Sequence, residues 1–142
     1  MYDEARLLAA HDGAEPVAKE ACLAIGDRLD TDIEAGNRGG YDSLAVLTGV
    51  TNPHELMFAP EHLRPTYIAK DLTGLNEPAP EVVHEAGAWS CRDVQARVDG
   101  DRFYVTDITS VDGLRAACAA MWDAADRGHS VDGMIVPEFR IA

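Results

Sequence analysis

The sequence predicts an α/β fold, in which part of a parallel sheet is followed by a small α+β appendage at the C-terminal end. Two short apolar runs, at residues 21–25 and 43–47, flank a helix-like stretch at 31–38. Strand, helix and strand joined by short connections are typical of a right-handed parallel unit. A proline-rich segment at 76–80 then separates this pattern from alternating apolar residues and an amphipathic stretch. The sequence therefore predicts two units, divided at this segment.

The first unit opens with a helix-like stretch at residues 2–10, which has almost no lead-in. A domain seldom opens in mid-helix, so we expect the chain to start within a larger fold. The helix at 31–38 has Thr31 as its predicted N-cap, and Glu34 completes a capping box three residues later. The glycine pair at 39–40 is expected to end this helix.

Shorter elements complete the first unit. They are a strand at 43–47, a helix at 54–59 opened by Asn52 and Pro53, a third strand at 66–69 and one helical turn at 71–75. The proline-rich boundary then divides the chain into a main unit at 1–76 and an appendage at 77–142.

The appendage is predicted to be a hairpin followed by a helix. Residues 90–98 and 102–105 show apolar alternation on either side of an Asp-Gly-Asp turn at 99–101. Residues 111–125 predict an amphipathic helix. Its apolar face is expected to carry Leu114, Cys118, Met121, Trp122 and Ala125. Four aromatic residues are expected to fill the core between the appendage and the parallel sheet, namely Trp89, Phe103, Tyr104 and Trp122.

The composition excludes several classes of partner. Twenty-five acidic residues against 12 basic residues give a formal charge of −13, which repels nucleic acid and anionic lipid. The sequence has no apolar run of about 18 residues, and its acidic start is unlike a secretory signal. We therefore expect no nucleic acid partner, no membrane partner and a cytoplasmic location. Cys22, Cys91 and Cys118 lack metal-ligand spacing and are expected to be free, mostly buried thiols.

The segment GDRLDTDI, at residues 26–33, carries the most informative chemistry. Asp27 lies where the first predicted strand ends, and Asp32 lies five residues later in the first turn of the next helix. Carboxylate oxygens in such a crevice suit Mg²⁺, and paired carboxylates need a cation or a basic residue such as Arg28 to balance their charge. From the residues alone, a metal site and a purely structural role as turn and helix caps are equally favoured.

The sequence GDRLDTDIEAGNRGGYDSLAVLTGVT, at residues 26–51, resembles the fourth motif and following strand of the haloacid dehalogenase (HAD) superfamily. It is similar to the branch of sugar-phosphate and 4-nitrophenyl-phosphate phosphatases that carry a large cap domain. The resemblance implies a Rossmann-like core, of which this chain supplies the second half, and Mg²⁺ as cofactor. It implies that Asp27 is a magnesium ligand and that Asp32 supports the metal site. Asp30 falls at a variable position of the motif and is expected to be solvated.

The family chemistry also requires parts that this sequence does not supply. They are a DxDG-type segment with the nucleophilic Asp, a Ser or Thr that holds phosphate, and a Lys that balances charge. The two DxD strings, at 30–32 and 99–101, lack the glycine that should follow. Lys19 is expected at the surface, whereas Lys70 follows the third strand and could approach the crevice edge. No catalytic residue is therefore assigned, and the first half of the core and the cap are expected to be missing.

The resemblance implies a Mg²⁺-dependent phosphatase that acts on a small phosphorylated metabolite through an aspartyl-phosphate. Because the nucleophile is absent, we expect the isolated chain to be inactive. The alternative is a catalytically inactive metal-binding or interaction module that completes another chain. Half of a parallel sheet exposes an unpaired strand edge, so we expect either a homodimer or a complementing N-terminal half as partner.

Overall fold

A computed structural model of the chain describes residues 23–47, 52–76, 78–129, 131 and 133–141. Within them lie a three-stranded parallel sheet, a four-stranded antiparallel sheet and a long helix that packs against both. The fold is therefore α/β with an α+β appendage, as predicted. The predicted helix at 2–10, together with Cys22 and Lys19, lies outside the described residues.

The parallel sheet contains three strands in the order β1-β2-β3. They are β1 (Leu23–Gly26), β2 (Asp42–Val46) and β3 (Tyr67–Ala69), all parallel to their neighbours. The strands are apolar, as is typical of parallel strands that are covered on both faces. All three begin and end within two residues of the predicted positions. Because the strands are parallel, their carboxyl ends form one edge, which we call the carboxyl edge of the sheet.

The connection from β1 to β2 contains a π-helical turn (Leu29–Ile33) followed by α1 (Glu34–Arg38). The predicted capping box is wrong, because the helical turn begins earlier than expected. Arg28 occupies the N-cap position with an extended backbone and no side-chain cap bond, and Thr31 lies exposed within the turn. The predicted C-terminal end is confirmed, since α1 is followed by Gly39 and by Gly40 at a φ of +78°.

The connection from β2 to β3 contains α2 (Pro53–Met57) and a single 3₁₀ turn (Glu61–Leu63). The side chain of Asn52 caps α2 by accepting a hydrogen bond from the backbone N–H of Glu55 at 2.8 Å. The prediction that Asn52 and Pro53 open this helix is confirmed, although the helix ends two residues earlier than expected. The predicted turn after β3 is present as a 3₁₀ helix (Leu72–Asn76).

The antiparallel sheet is a four-stranded meander rather than the single predicted hairpin. Its strands are β4 (Val82–Glu85), β5 (Ala88–Cys91), β6 (Val94–Asp99) and β7 (Arg102–Val105), in that order. The predicted hairpin corresponds to β6 and β7, whose turn contains Gly100 at a φ of +64°. The predicted strand at 90–98 is interrupted at Arg92, which has a φ of +55°, and β4 was not predicted.

The long helix α3 (Val111–Asp126) follows β7. The hydroxyl of Ser110 caps it by accepting a hydrogen bond from the backbone N–H of Gly113 at 3.1 Å. Gly113 is required there because a side chain at this position would overlap the backbone carbonyl oxygen of Asp107. The helix covers β5 and β6 with its buried face and also contacts α2 and β3.

One hydrophobic cluster extends across the predicted boundary between the two units. It joins Ile33, Leu56 and Ile68 of the parallel unit to Leu114 and Met121 of α3. The division at residues 76 and 77 stays a prediction, and the apolar packing is continuous across it.

Polar contacts between described residues also attach α3 to the parallel unit. The indole N–H of Trp122 donates to the carbonyl of Leu56, and Nε of Arg115 donates to the carbonyl of Ile68, both at 2.9 Å. Nη1 of Arg64 contacts both carboxylate oxygens of Asp126, at 2.9 and 3.0 Å.

The buried thiols and three of the four aromatic predictions are confirmed. Cys91 and Cys118 are buried free thiols. Trp89, Phe103 and Trp122 are partly buried against the hydrophobic cluster. The expectation for Tyr104 is wrong, because its side chain is 40% exposed and lies beneath the guanidinium of Arg97, 4.8 Å from the ring centroid. No helix in the described segments is long and apolar enough to cross a membrane.

Candidate metal centre

The structure places Asp27 at the carboxyl edge of the parallel sheet. Asp27 directly follows Gly26, the last residue of β1, and its side chain is half-buried. Leu47 and Lys70 directly follow β2 and β3 and therefore reach the same edge. This edge is where parallel α/β sheets bind their ligands.

The loop after β1 brings Asp32 back onto the end of the strand. A methyl group placed on Gly26 would overlap the Cβ atom and the carboxylate of Asp32. The contact forms because the π-helical turn closes with a hydrogen bond from the N–H of Ile33 to the carbonyl of Arg28 at 3.3 Å. Asp32 is half-buried, as Asp27 is. The end of β1 thus carries one carboxylate directly after Gly26 and a second one packed against Gly26.

The basic residue of the loop, Arg28, is paired with Asp30. Nε and Nη2 of Arg28 lie 3.4 Å from the two carboxylate oxygens of Asp30. Both side chains are open to solvent, at 49% and 65% exposure. Asp30 is therefore solvated, as the sequence predicted, and Arg28 is engaged at the outer side of the loop.

The donor set of Asp27 and Asp32 fits a magnesium ion and fits softer metals poorly. Within the described residues, no group of three His, Cys, Asp or Glu side chains converges on one point. Zinc sites need three or four such ligands, whereas Mg²⁺ is bound through one or two carboxylates and completes its octahedron with water and substrate phosphate. The space that glycine leaves at position 26 is filled by the Asp32 carboxylate.

Lys70 is the lysine that the structure describes at the carboxyl edge. It is exposed and directly precedes Asp71, whose carboxylate accepts hydrogen bonds from the hydroxyl and the backbone N–H of Thr73. These bonds, together with the charge of Lys70, hold the pKa of Asp71 below its usual value. The other DxD string, at 99–101, lies in the turn between β6 and β7 of the appendage.

Sequence reasoning missed the contact between Gly26 and Asp32. A glycine at the end of a strand, directly before an acid, is the signal that could have indicated it. Glycine is needed at position 26 because the side chain of Asp32 packs directly against it.

The sequence model of the HAD-hydrolase-like family matches residues 1–75 of this chain, which is more than half of its length. The chain belongs to this family. A second family model, described as a GCN5-related N-acetyltransferase like domain, matches residues 91–134. That segment contains β6, β7 and α3, so the appendage is similar in sequence to part of such a domain.

The chain is also similar to characterised phosphatases. D-glycerol 3-phosphate phosphatase of Mycobacterium tuberculosis is 37% identical over 116 residues, which cover 73% of this chain and 31% of that protein. Phosphoglycolate phosphatase 2 of Arabidopsis thaliana is 39% identical over 51 residues, which cover 36% of this chain and 17% of that protein. The chain thus spans about a third of the length of the first relative and a smaller share of the second.

Two solved phosphatase structures are similar to this chain in fold and in sequence. The glycerol phosphate phosphatase of Mycobacterium tuberculosis in complex with magnesium has a TM-score of 0.58 and 37% identity, over 72% of this chain and 30% of that chain. Its complex with calcium has a TM-score of 0.59 and 34% identity, over 86% of this chain and 34% of that chain.

Proposed function

We propose that this chain supplies the magnesium-binding part of a phosphatase site. In this proposal Asp27 is a ligand of Mg²⁺, and Asp32 supports the ion directly or through water. The observation that carries it is the packing of the Asp32 carboxylate against Gly26, because it holds a second carboxylate at the strand end that Asp27 follows. When bound, Mg²⁺ stabilises the negative charge that phosphoryl transfer develops.

The comparisons support a small phosphorylated metabolite as the substrate of the whole protein. The relatives are named for glycerol 3-phosphate and phosphoglycolate, which are both small phosphate monoesters. The glycerol phosphate phosphatase has been crystallised with magnesium and with calcium, two cations that prefer oxygen ligands. We propose hydrolysis through an aspartyl-phosphate as the reaction.

The nucleophile of this reaction must come from polypeptide other than these 142 residues, because their sequence contains no DxDG-type segment. The alternative role, an interaction module that completes another chain, is favoured by one observation. Among the described strands, β1 is the outermost on its side of the sheet, and Leu23 and Ile25 are 37% and 36% exposed. A strand from another polypeptide could pair there and cover them.

A magnesium titration of matched proteins tests the metal site. Saturating Mg²⁺, at about 100 times its Kd, is expected to stabilise the parent chain by about 2.7 kcal/mol in chemical denaturation. Asp27→Asn should abolish this stabilisation, and Asp32→Asn should weaken it. Asp30→Asn is the control, since it removes an exposed carboxylate of the same loop.

The outcome of this titration decides the assignment of Asp27. An unchanged magnesium response in Asp27→Asn, or an equal loss in Asp30→Asn, would show that the response arises from general charge and not from a site at the strand end.

A further inference from the structure

A cavity of about 540 Å³ lies between β3, the 3₁₀ turn Leu72–Asn76 and α3. Its size is within the range of pockets that bind small molecules. Asp27 and Asp32 do not line it, so it is distinct from the candidate metal centre. It lies where the parallel unit meets the long helix of the appendage.

One face of α3 forms a preformed wall of the cavity. Val111, Arg115, Ala119 and Trp122 recur at helical spacing along this face. The small side chain of Ala119 leaves space between Arg115 and Trp122. The indole of Trp122 is held by its bond to the Leu56 carbonyl at 2.9 Å, so the aromatic part of the wall is fixed.

The net charge of the side chains that line the cavity differs in sign from the net charge of the whole chain. The chain carries a formal charge of −13, yet the described residues that line the cavity include two cations, Lys70 and Arg115, against one acid. That acid, Asp71, already accepts two hydrogen bonds from Thr73. The lining side chains therefore carry one more positive than negative charge, which favours an anionic ligand over a cationic one.

Arg115 retains capacity for a ligand. Its Nε donates to the Ile68 carbonyl at 2.9 Å and its Nη1 donates to Asp112 at 2.8 Å. A guanidinium has five N–H donors, so these contacts orient the group and leave other donors for a further acceptor. The side chain is 19% exposed, which makes a charge-assisted bond to a ligand stronger than one in open solvent.

The remaining lining is largely apolar and includes exposed side chains at the rim. Tyr67 is 39% exposed and Leu75 is 51% exposed. Val82 and Pro80 extend the apolar lining on the side of the appendage. A ligand that fills the cavity would cover these groups, so it needs an apolar body as well as a charged group.

We propose that this cavity binds a small organic anion with an aromatic or apolar body. Lys70 and Arg115 bind the anionic group, and the body packs against Trp122, Ala119 and Tyr67. The binding site is independent of the proposed phosphatase function, because its residues are separate from the magnesium-binding residues and its test requires no activity.

Binding of 1-naphthylacetate, followed by calorimetry and by NMR shifts of the Trp122 indole N–H, tests this proposal. The neutral analogue 1-naphthylacetamide is expected to bind at least about tenfold more weakly, because it lacks the charge that Lys70 and Arg115 recognise. Lys70→Gln should weaken binding of the anion about fivefold. Arg38→Gln is the matched control, since it removes one positive charge from the exposed face of α1.

A second pair of variants tests the location without changing charge. Ala119→Leu places a larger side chain in the cavity and should weaken binding at least about tenfold, whereas Ala125→Leu, at a position of the same helix that does not line the cavity, should leave it unchanged. Thermal unfolding of both variants shows whether each one is folded. The proposal would be overturned if naphthylacetate did not bind, or if the neutral amide bound equally well. It would also be overturned if folded Ala119→Leu bound naphthylacetate as tightly as the parent chain does.

Discussion

Gly26 is a residue of the candidate metal loop to which no side chain can be added without a structural shift. A side chain there would overlap the Asp32 carboxylate, so Gly26→Ala must displace the loop. We expect a loss of about 1–3 kcal/mol in the free energy of unfolding, together with a loss of the magnesium response. Both are measured by urea denaturation with and without Mg²⁺.

Gly128→Ala is the control for this prediction. Gly128 has a φ of +86°, and no atom of the described residues beyond its chain neighbours lies within 4 Å of the position that a methyl group would take. Alanine there adds backbone strain and no steric contact, so it should cost about 1–2 kcal/mol and leave the magnesium response intact. Gly26→Ala with a normal magnesium response would show that Asp32 is not needed beside the strand end.

Cys91 lies in an environment that disfavours its thiolate. Burial and the nearby Asp112 carboxylate, 3.4 Å from the sulfur, raise the pKa of the thiol from 9.0 to about 11. Between these two pKa values the Cys91 thiol stays protonated in the folded chain and is deprotonated in the unfolded chain. Its contribution to the free energy of unfolding is therefore complete below pH 9 and is lost as the pH rises to about 11.

We expect the free energy of unfolding to fall between pH 9 and pH 11, and to fall less steeply in Cys91→Ala. Urea denaturation at a series of pH values measures both slopes. An equal slope in the variant would assign the alkaline loss of stability to another group, such as the buried Cys118 thiol, whose pKa burial also raises.

At the level of elements, α3 is the helix that joins the two sheets. Its buried face covers β5 and β6, and the indole of Trp122 reaches the Leu56 carbonyl of α2. Trp122→Phe removes this hydrogen bond and part of the ring packing, while the Leu56 carbonyl keeps its bond from the backbone N–H of Ala59 at 3.2 Å. We expect a cost of about 2 kcal/mol in thermal or urea unfolding.

Trp89→Phe is the matched control, because Trp89 contacts its surroundings through its ring, which stacks on His84 at 4.7 Å. It should cost about half as much as Trp122→Phe. Equal costs would indicate that ring packing, rather than the hydrogen bond to α2, attaches the helix.

The strands of the appendage show where local sequence patterns failed. The turn between β4 and β5 uses Ala86 and Gly87 at φ values of +52° and +81°, and the turn after β5 uses Arg92 at +55°. Alanine and arginine rarely adopt such angles, so neither residue marks a turn in the sequence. The predicted strand at 90–98 was therefore wrong in including Arg92, which lies in the turn between the paired strands β5 and β6.

At the level of the whole molecule, the chain carries the candidate metal loop without a recognisable nucleophile segment. Assayed alone with Mg²⁺, it should release 4-nitrophenol from 4-nitrophenyl phosphate no faster than the buffer does. The glycerol phosphate phosphatase of Mycobacterium tuberculosis, assayed on glycerol 3-phosphate in the same buffer with Mg²⁺, serves as positive control for the assay conditions. Turnover above the blank that Asp27→Asn removes would contradict the absence of a nucleophile from this chain.

The sequence by itself determined the parallel unit, the start of α2 at Asn52 and Pro53, the amphipathic α3 and the position of Asp27 at a strand end. These features depend on residues a few positions apart, such as Asn52 and Glu55, and periodicity and capping chemistry record them directly.

Only the tertiary structure decided how distant segments meet. It placed the Asp32 carboxylate on Gly26, exposed Tyr104, extended one apolar cluster across the predicted boundary and formed the cavity beside β3. Arg115 and Ile68, which are 47 positions apart, contact each other because α3 packs on β3. Such contacts depend on how whole helices and strands pack together, and no local pattern of residues encodes that packing.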